Sequence, residues 1–168
     1  MKGNYLKGNR NGKGKEYNKN GELIFEGEYL NGEKWNGKGK EYDYFDKLQF
    51  EGEYLKGKRN GKGKEYNNGE LIFEGEYLNG KKWNGKGKEY DDYGKLIFEG
   101  EYINGKSWNG KVKESNEELE FEGEYANGQR NGKVKEYDDG RLKFESEFLN
   151  GKQKWKRKRI PLLWRFRI

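Results

Sequence analysis

Two residue patterns in this chain have the types and spacing that chemistry uses. The first is G-x-x-x-x-G-K, as in Gly80 to Lys86. Backbone amides of such a loop cradle phosphates when Ser or Thr follows and the loop joins a strand to a helix. Here Gly87 follows, or Val112 in a later copy, and the surroundings read as a hairpin, so the pattern is expected to be a turn. The second is the paired carboxylates, such as Glu26 and Glu28, a pairing that acid–base catalysis employs. Their recurrence in copy after copy points instead to solvated partners for the equally regular lysines. Carboxylates alone form no loop dense enough to hold a cation. The chain has no Cys and no His, which removes thiolate and imidazole chemistry. The expectation is a protein that is not an enzyme and takes no metal and no cofactor.

The elements that hold these residues repeat. Phe recurs at Phe25, Phe50, Phe73, Phe98, Phe121 and Phe144, with Met1 in the same register, at intervals of 23 to 25 residues. A fixed period in that range marks a quasi-one-dimensional array. Composition agrees, since 30% hydrophobic and 39% charged residues are poor material for a two-layer core, while 16% aromatics and strict periodicity argue against disorder. A single-layer sheet with rings stacked on one face resolves the conflict.

Each copy reads as two short strands. In Leu71 to Leu78, alternation places Leu71, Phe73, Gly75 and Tyr77 on one face and Ile72, Glu74, Glu76 and Leu78 on the other. An Asn-Gly turn signal follows at Asn79-Gly80, then a second at Asn84-Gly85, then a K-G-K-E-Y strand. In the simplest register Glu74 and Glu76 face Lys86 and Lys88. Glycine weakens a strand, but its placement between aromatics predicts rings lying over bare backbone. The Gly87 position becomes Val112 and Val134 later, which suits a partly buried site. The side of the sheet taken by the K-E-Y tyrosine is left open, because a bulge would reverse it.

The candidate aromatic face is therefore Phe25, Tyr29, Phe50, Tyr54, Phe73, Tyr77, Phe98, Tyr102, Phe121 and Tyr125. Some copies carry an inserted Trp, at Trp35, Trp83 and Trp108. These are expected at hairpin tips, where they either clasp the neighbouring turn or line a contact edge.

The run G-E-Y-L-N-G-K-R/K-(W)-N-G-K-G resembles the MORN (membrane occupation and recognition nexus) repeat, including the variant repeats of bacterial antitoxin-type proteins. The likeness extends from about Lys2 to Lys152. It implies an all-β fold: an elongated, single-layer antiparallel sheet of stacked β-hairpins. It also implies scaffolding, dimerisation or tethering near membranes, and brings no catalytic residues. Two departures are Asn, as in Asn60 and Asn84, where the familiar repeat has His, and the inserted Trp.

Residues 1–152 thus form the array, six full copies and the start of a seventh, and residues 153–168 a basic aromatic tail. The tail holds seven basic residues and no acid, against 36 basic and 30 acidic in the whole chain, so the repeats alone are close to neutral. Lys154, Lys156, Arg157, Lys158 and Arg159 are candidate lipid-binding residues on an anionic membrane. A competing hypothesis is that the tail is an out-of-frame seventh repeat. Permitted codons from Lys154 onward, read in the neighbouring frame, spell N-G-K-G-K-G-Y-H-Y-Y-G-D-L-E-F, close to Asn84–Glu99. Sequencing the coding DNA decides between them.

No apolar secretion signal opens the chain and no run approaches a membrane-spanning helix, so a cytoplasmic setting is expected, with peripheral membrane attachment as the alternative. The expected function is an interaction scaffold that engages a protein partner or a second copy of itself, with homodimerisation expected and no specific nucleic acid. The alternatives are association with anionic membranes and carbohydrate binding on the aromatic face.

Overall fold

The computed structural model describes residues 2–6, 8–115, 119–138 and 141–156. Among these there is no helix, so none long and apolar enough to cross a membrane. The strands are β1 (Lys2–Leu6), β2 (Asn9–Tyr17), β3 (Leu23–Leu30), β4 (Glu33–Tyr42), β5 (Leu48–Leu55), β6 (Lys58–Asn67), β7 (Glu70–Leu78), β8 (Lys81–Tyr90), β9 (Leu96–Ile103), β10 (Lys106–Ser115), β11 (Leu119–Ala126), β12 (Gln129–Asp138), β13 (Arg141–Leu149) and β14 (Lys152–Lys156). Sheet order is chain order. The chain divides into two compact units, the first Met1–Gly87 with Tyr102–Lys106 and the second Lys88–Glu101 with Ser107–Ile168. In the first, β1 to β8 pair antiparallel one after the next; in the second, β10 to β14 do the same. Each is an open antiparallel sheet of successive hairpins, as the sequence predicts.

The hairpin turns follow from their residues. Asn31-Gly32, Asn79-Gly80 and Asn127-Gly128 all have two positive φ angles, the geometry a two-residue turn needs to match strand twist. Lys56-Gly57 adopts the same shape without the Asn. The return loops are built differently. Asp43 Oδ1 accepts from the amides of Phe45 and Lys47, and Asn18 and Asp91 repeat the arrangement in their own loops.

The core is one ring thick. Phe25, Phe50, Phe73 and Phe121 are at most 1% exposed, and Tyr29, Tyr77 and Tyr102 are buried beside them. Neighbouring rings meet edge to face, with centroids 5.2 Å apart for Phe50–Tyr77 and Phe73–Tyr77. Glycine makes room for them. A Cβ on Gly63 would stand 2.7 Å from the Phe50 ring, and one on Gly39 would stand 2.8 Å from that of Phe25. Where strands approach most closely glycine faces glycine, as in Gly75↔Gly85. Val112 and Val134, which replace glycine, are both buried.

Three expectations need correction. Asn84-Gly85 is not a turn but lies inside β8, which begins at Lys81. The second Asn-Gly has only a local preference to offer, and cross-strand pairing overrides it. Consequently the inserted Trp is not at a hairpin tip, and its extra residue is taken up within the strand. In β3–β4 the register steps from Glu28↔Asn36 to Tyr29↔Lys34, and in β7–β8 from Glu76↔Asn84 to Tyr77↔Lys82. Trp35 and Trp83 are thus the extra residues of one-residue bulges. Finally, Glu74 does face Lys86, but Glu76 faces Asn84 and, across the other edge, Lys62, rather than Lys88.

Candidate functional site

The ten aromatic-face residues are assembled into one kind of surface, but they form a core rather than a platform. Phe25, Tyr29, Phe50, Phe73, Tyr77, Phe98, Tyr102 and Phe121 are buried; Tyr54 and Tyr125 are half-buried. Cations cover rings from above. The Arg59 guanidinium lies 4.1 Å from the Phe50 centroid, Lys34 5.4 Å from that of Phe25, Lys82 5.3 Å from that of Phe73 and Arg130 5.1 Å from that of Phe121.

Those cations belong to a polar ladder that sequence reasoning did not find. The K-E-Y glutamate sits on the ring face, where each accepts from a tyrosine of the following strand. Tyr29 donates to Glu16 at 2.9 Å, Tyr54 to Glu41 at 2.6 Å and Tyr77 to Glu65 at 2.8 Å. Arg59 pairs with Glu41 through two nitrogens and lies 3.9 Å from Glu65, which Lys82 approaches to 3.5 Å. Burial would raise the Glu41 carboxyl, but the hydrogen bonds from Arg59 and Tyr54 outweigh it and hold it below its ordinary value. Burial, reinforced by the facing carboxylate, pushes the Tyr29 phenol up to about 12 and drives Tyr54 and Tyr77 upward as well. The tyrosine of K-E-Y goes to the opposite face. A register shift between Glu65 and Tyr66 lets Tyr66 donate to Glu51, and burial with that carboxylate raises its phenol to about 12. The alternation of Glu and Arg/Lys two strands apart was the sequence signal; its register was not readable.

The asparagine of the second Asn-Gly is the other residue that sequence reasoning misjudged. Asn36 donates to Glu28 on the preceding strand while its Oδ1 accepts the amide of Lys56 in the next hairpin turn, both at 2.9 Å. Asn84 links Glu76 to Asn104, and Asn109 links Glu101 to Asn127, in the same way. Asn therefore staples one hairpin to the next.

Trp35, Trp83 and Trp108 are half-buried, and each clasps the neighbouring turn. The Trp83 carbonyl accepts from Gly105 at 2.8 Å, and a Cβ on Gly105 would meet the indole at 3.4 Å. Trp35 stands in the same relation to Gly57, and Trp108 to Gly128.

The opposite face of the first unit is charged and rimmed by aliphatics. Lys38, Glu53, Lys62 and Glu76 line a groove of about 770 Å³ together with Gly39 and Gly52. Lys38–Glu53 and Lys64–Glu74 close at 3.5 and 3.2 Å. Leu30, Leu55, Leu78 and Ile103, one at the end of each first strand, remain exposed. Tyr44, Phe45 and Tyr93 project from return loops, Tyr44 at 94% exposure.

Of the candidate lipid-binding residues, Lys154 is exposed in β14 opposite Glu147, and Lys156 stands opposite Glu145. The strand pairing thus continues four residues past 152. Arg157, Lys158 and Arg159 lie outside the described residues. Among the described residues no group of acidic side chains is gathered to hold a metal. No family model matches the chain, and no curated protein matches it.

Proposed function

We propose that this chain is a non-enzymatic scaffold, a repeat array whose role is to present strand edges and a regular surface to another protein. The observation that carries this reading is the outer edge of β1. It stands first in the sheet order, and no described residue pairs with its outward main-chain groups. A strand edge at the end of a sheet order is a template for a further strand. The likeness to MORN repeats, whose members scaffold and dimerise, points the same way, and the exposed aliphatic row offers apolar contact beside the charged groove. Homodimerisation is the favoured mode.

Light scattering on the full chain at tens of micromolar tests the reading. A mass of twice 19.9 kDa is expected. A strict monomer that also captures no partner through its edge would remove it.

A further inference from the structure

Asn-Gly is the dipeptide most prone to spontaneous deamidation, because glycine has no side chain to keep its amide nitrogen from the asparagine Cγ. This chain repeats it at turn after turn and again inside the second strands. The fold does not treat the copies alike. In the hairpin turns the glycine amide is tied to the hairpin before. Gly32 donates to the Arg10 carbonyl at 2.9 Å, and Gly80, Gly105 and Gly128 donate to the carbonyls of Arg59, Trp83 and Trp108 at 2.8 Å. In the loop after β2, Gly21 donates to the Asn18 carbonyl at 3.0 Å. Inside the strands, Asn36, Asn84 and Asn109 hold both ends of the side-chain amide in hydrogen bonds.

Asn68-Gly69 is treated differently. It forms the two-residue return between β6 and β7, closed by the Asn67↔Glu70 pair, and both residues are exposed, with φ of 50° and 85°. Among the described residues no group accepts from the Gly69 amide. Positive φ at both positions is the type I′ shape, and a half-turn of the central peptide plane converts it to type II′ while keeping the first φ. That rotation brings the Gly69 nitrogen toward the Asn68 Cγ. At Gly80 or Gly105 it would break the bond to the preceding hairpin; at Gly69 it breaks none. Lys47 supplies the second element. Its Nζ donates to Asn68 Oδ1 at 3.3 Å, the atom on which negative charge gathers as the nitrogen adds.

We propose that Asn68 is a self-modification site, a centre of spontaneous deamidation assisted by Lys47. The Gly69 nitrogen bonds to Cγ and gives up its proton; the Cγ–Nδ2 bond breaks, and Nδ2 takes that proton and leaves as ammonia. Water then opens the succinimide at either carbonyl, giving aspartate or isoaspartate. Either product sets a carboxylate beside Lys47, as Asp46 already stands beside Lys19. Isoaspartate also adds a backbone carbon to a turn of two residues, so conversion loosens the β6–β7 hairpin as the chain ages.

Trypsin releases Asn68 and Asn79 on one peptide, Glu65–Lys81, so each serves as the other's control. The full chain is incubated at mildly alkaline pH, and peptide mass spectrometry with fragmentation locates the amide-to-acid conversion. In the folded chain Asn68 is expected to convert about five- to tenfold faster than Asn79, the factor that one hydrogen bond supplies. In urea the two are expected to agree within about twofold. Lys47→Ala is expected to slow Asn68 about three- to fivefold and to leave Asn79 unchanged. A folded chain in which Asn79 keeps pace with Asn68, or in which Asn68 is indifferent to the loss of Lys47, overturns the proposal. So does an Asn68 that outruns Asn79 equally in urea, since the difference would then lie in the local sequence.

Discussion

The Tyr77 phenol donates a 2.8 Å hydrogen bond to Glu65, twelve residues earlier and on the adjacent strand. The bond joins the last residue of one hairpin's ring pair to the end of the hairpin before it. Arg59 and Lys82 flank the same carboxylate. The interaction thus couples consecutive repeats through one half-buried acceptor.

Tyr77→Phe keeps the ring and removes the donor, so it should destabilise the protein by about 1–2 kcal/mol. Glu65→Ala should exceed that, since Tyr77, Arg59 and Lys82 lose a shared acceptor together. Urea unfolding of the two variants checks the order; equal or negligible effects would mean that the ladder contributes nothing.

Alkaline titration should show the same ladder. Tyr29 and Tyr66 ionise near 12 in the folded chain, above the ordinary phenol value of 10, with Tyr54 and Tyr77 also raised. A raised folded pKa means that the stabilisation is complete below the unfolded value and disappears as pH climbs through the folded one. Stability should therefore hold to about pH 10 and fall between about 10 and 12, accompanied by a rise in phenolate absorbance. Full ionisation of every tyrosine near pH 10 without loss of β-sheet signal would contradict this.

Glycine substitutions should divide by what the new methyl meets. At Gly75 a Cβ would lie 2.2 Å from the Asn84 carbonyl oxygen and 2.6 Å from the Gly85 Cα, both backbone atoms of the neighbouring strand. Gly75→Ala should cost about 3 kcal/mol or more. At Gly87 the nearest atoms are the Ile72 carbonyl and the Phe73 ring, each 2.8 Å away, and later copies hold Val112 and Val134 at this position. Gly87→Ala should cost about 1 kcal/mol. Thermal melts of the pair give the comparison.

Truncation and deletion of Trp83 should differ. Trp83→Ala strips the indole from the Gly105 turn while leaving the bulge, at about 1–3 kcal/mol. Deleting Trp83 outright removes the extra residue as well. Hairpins that lack the Trp keep the equivalent of Tyr77↔Lys82, as Tyr125↔Arg130 in β11–β12, which pairs without a shift, and Tyr54↔Arg59 in β5–β6, which shifts between Gly52 and Tyr54. The deletion should therefore keep the β-sheet spectrum and the Tyr77↔Lys82 pairing. Hydrogen exchange at the Gly105 amide, which donates to the Trp83 carbonyl, reads both outcomes.

Much of this architecture was legible residue by residue. The Asn79-Gly80 turn could be read because its two residues tolerate positive φ, a property of the residues themselves. The burial of Phe73 and Tyr77 could be read from a two-residue alternation. The role of Asn84 could not. As a dipeptide Asn84-Gly85 is as good a turn as Asn79-Gly80, and only its partners, Glu76 on one side and the Asn104 amide on the other, make it a staple within a strand. Trp83 was misplaced for the same reason.

The amino-acid sequence by itself determined the period, the hairpin turns, the ring-bearing face and the glycine that faces it, because each depends on backbone preference or alternation over a few residues. The tertiary structure alone decided register: where the bulges fall, which glutamate meets which tyrosine, and that cations close over the rings. Register is a sum of many weak cross-strand terms over segments distant in sequence, and no single residue carries it.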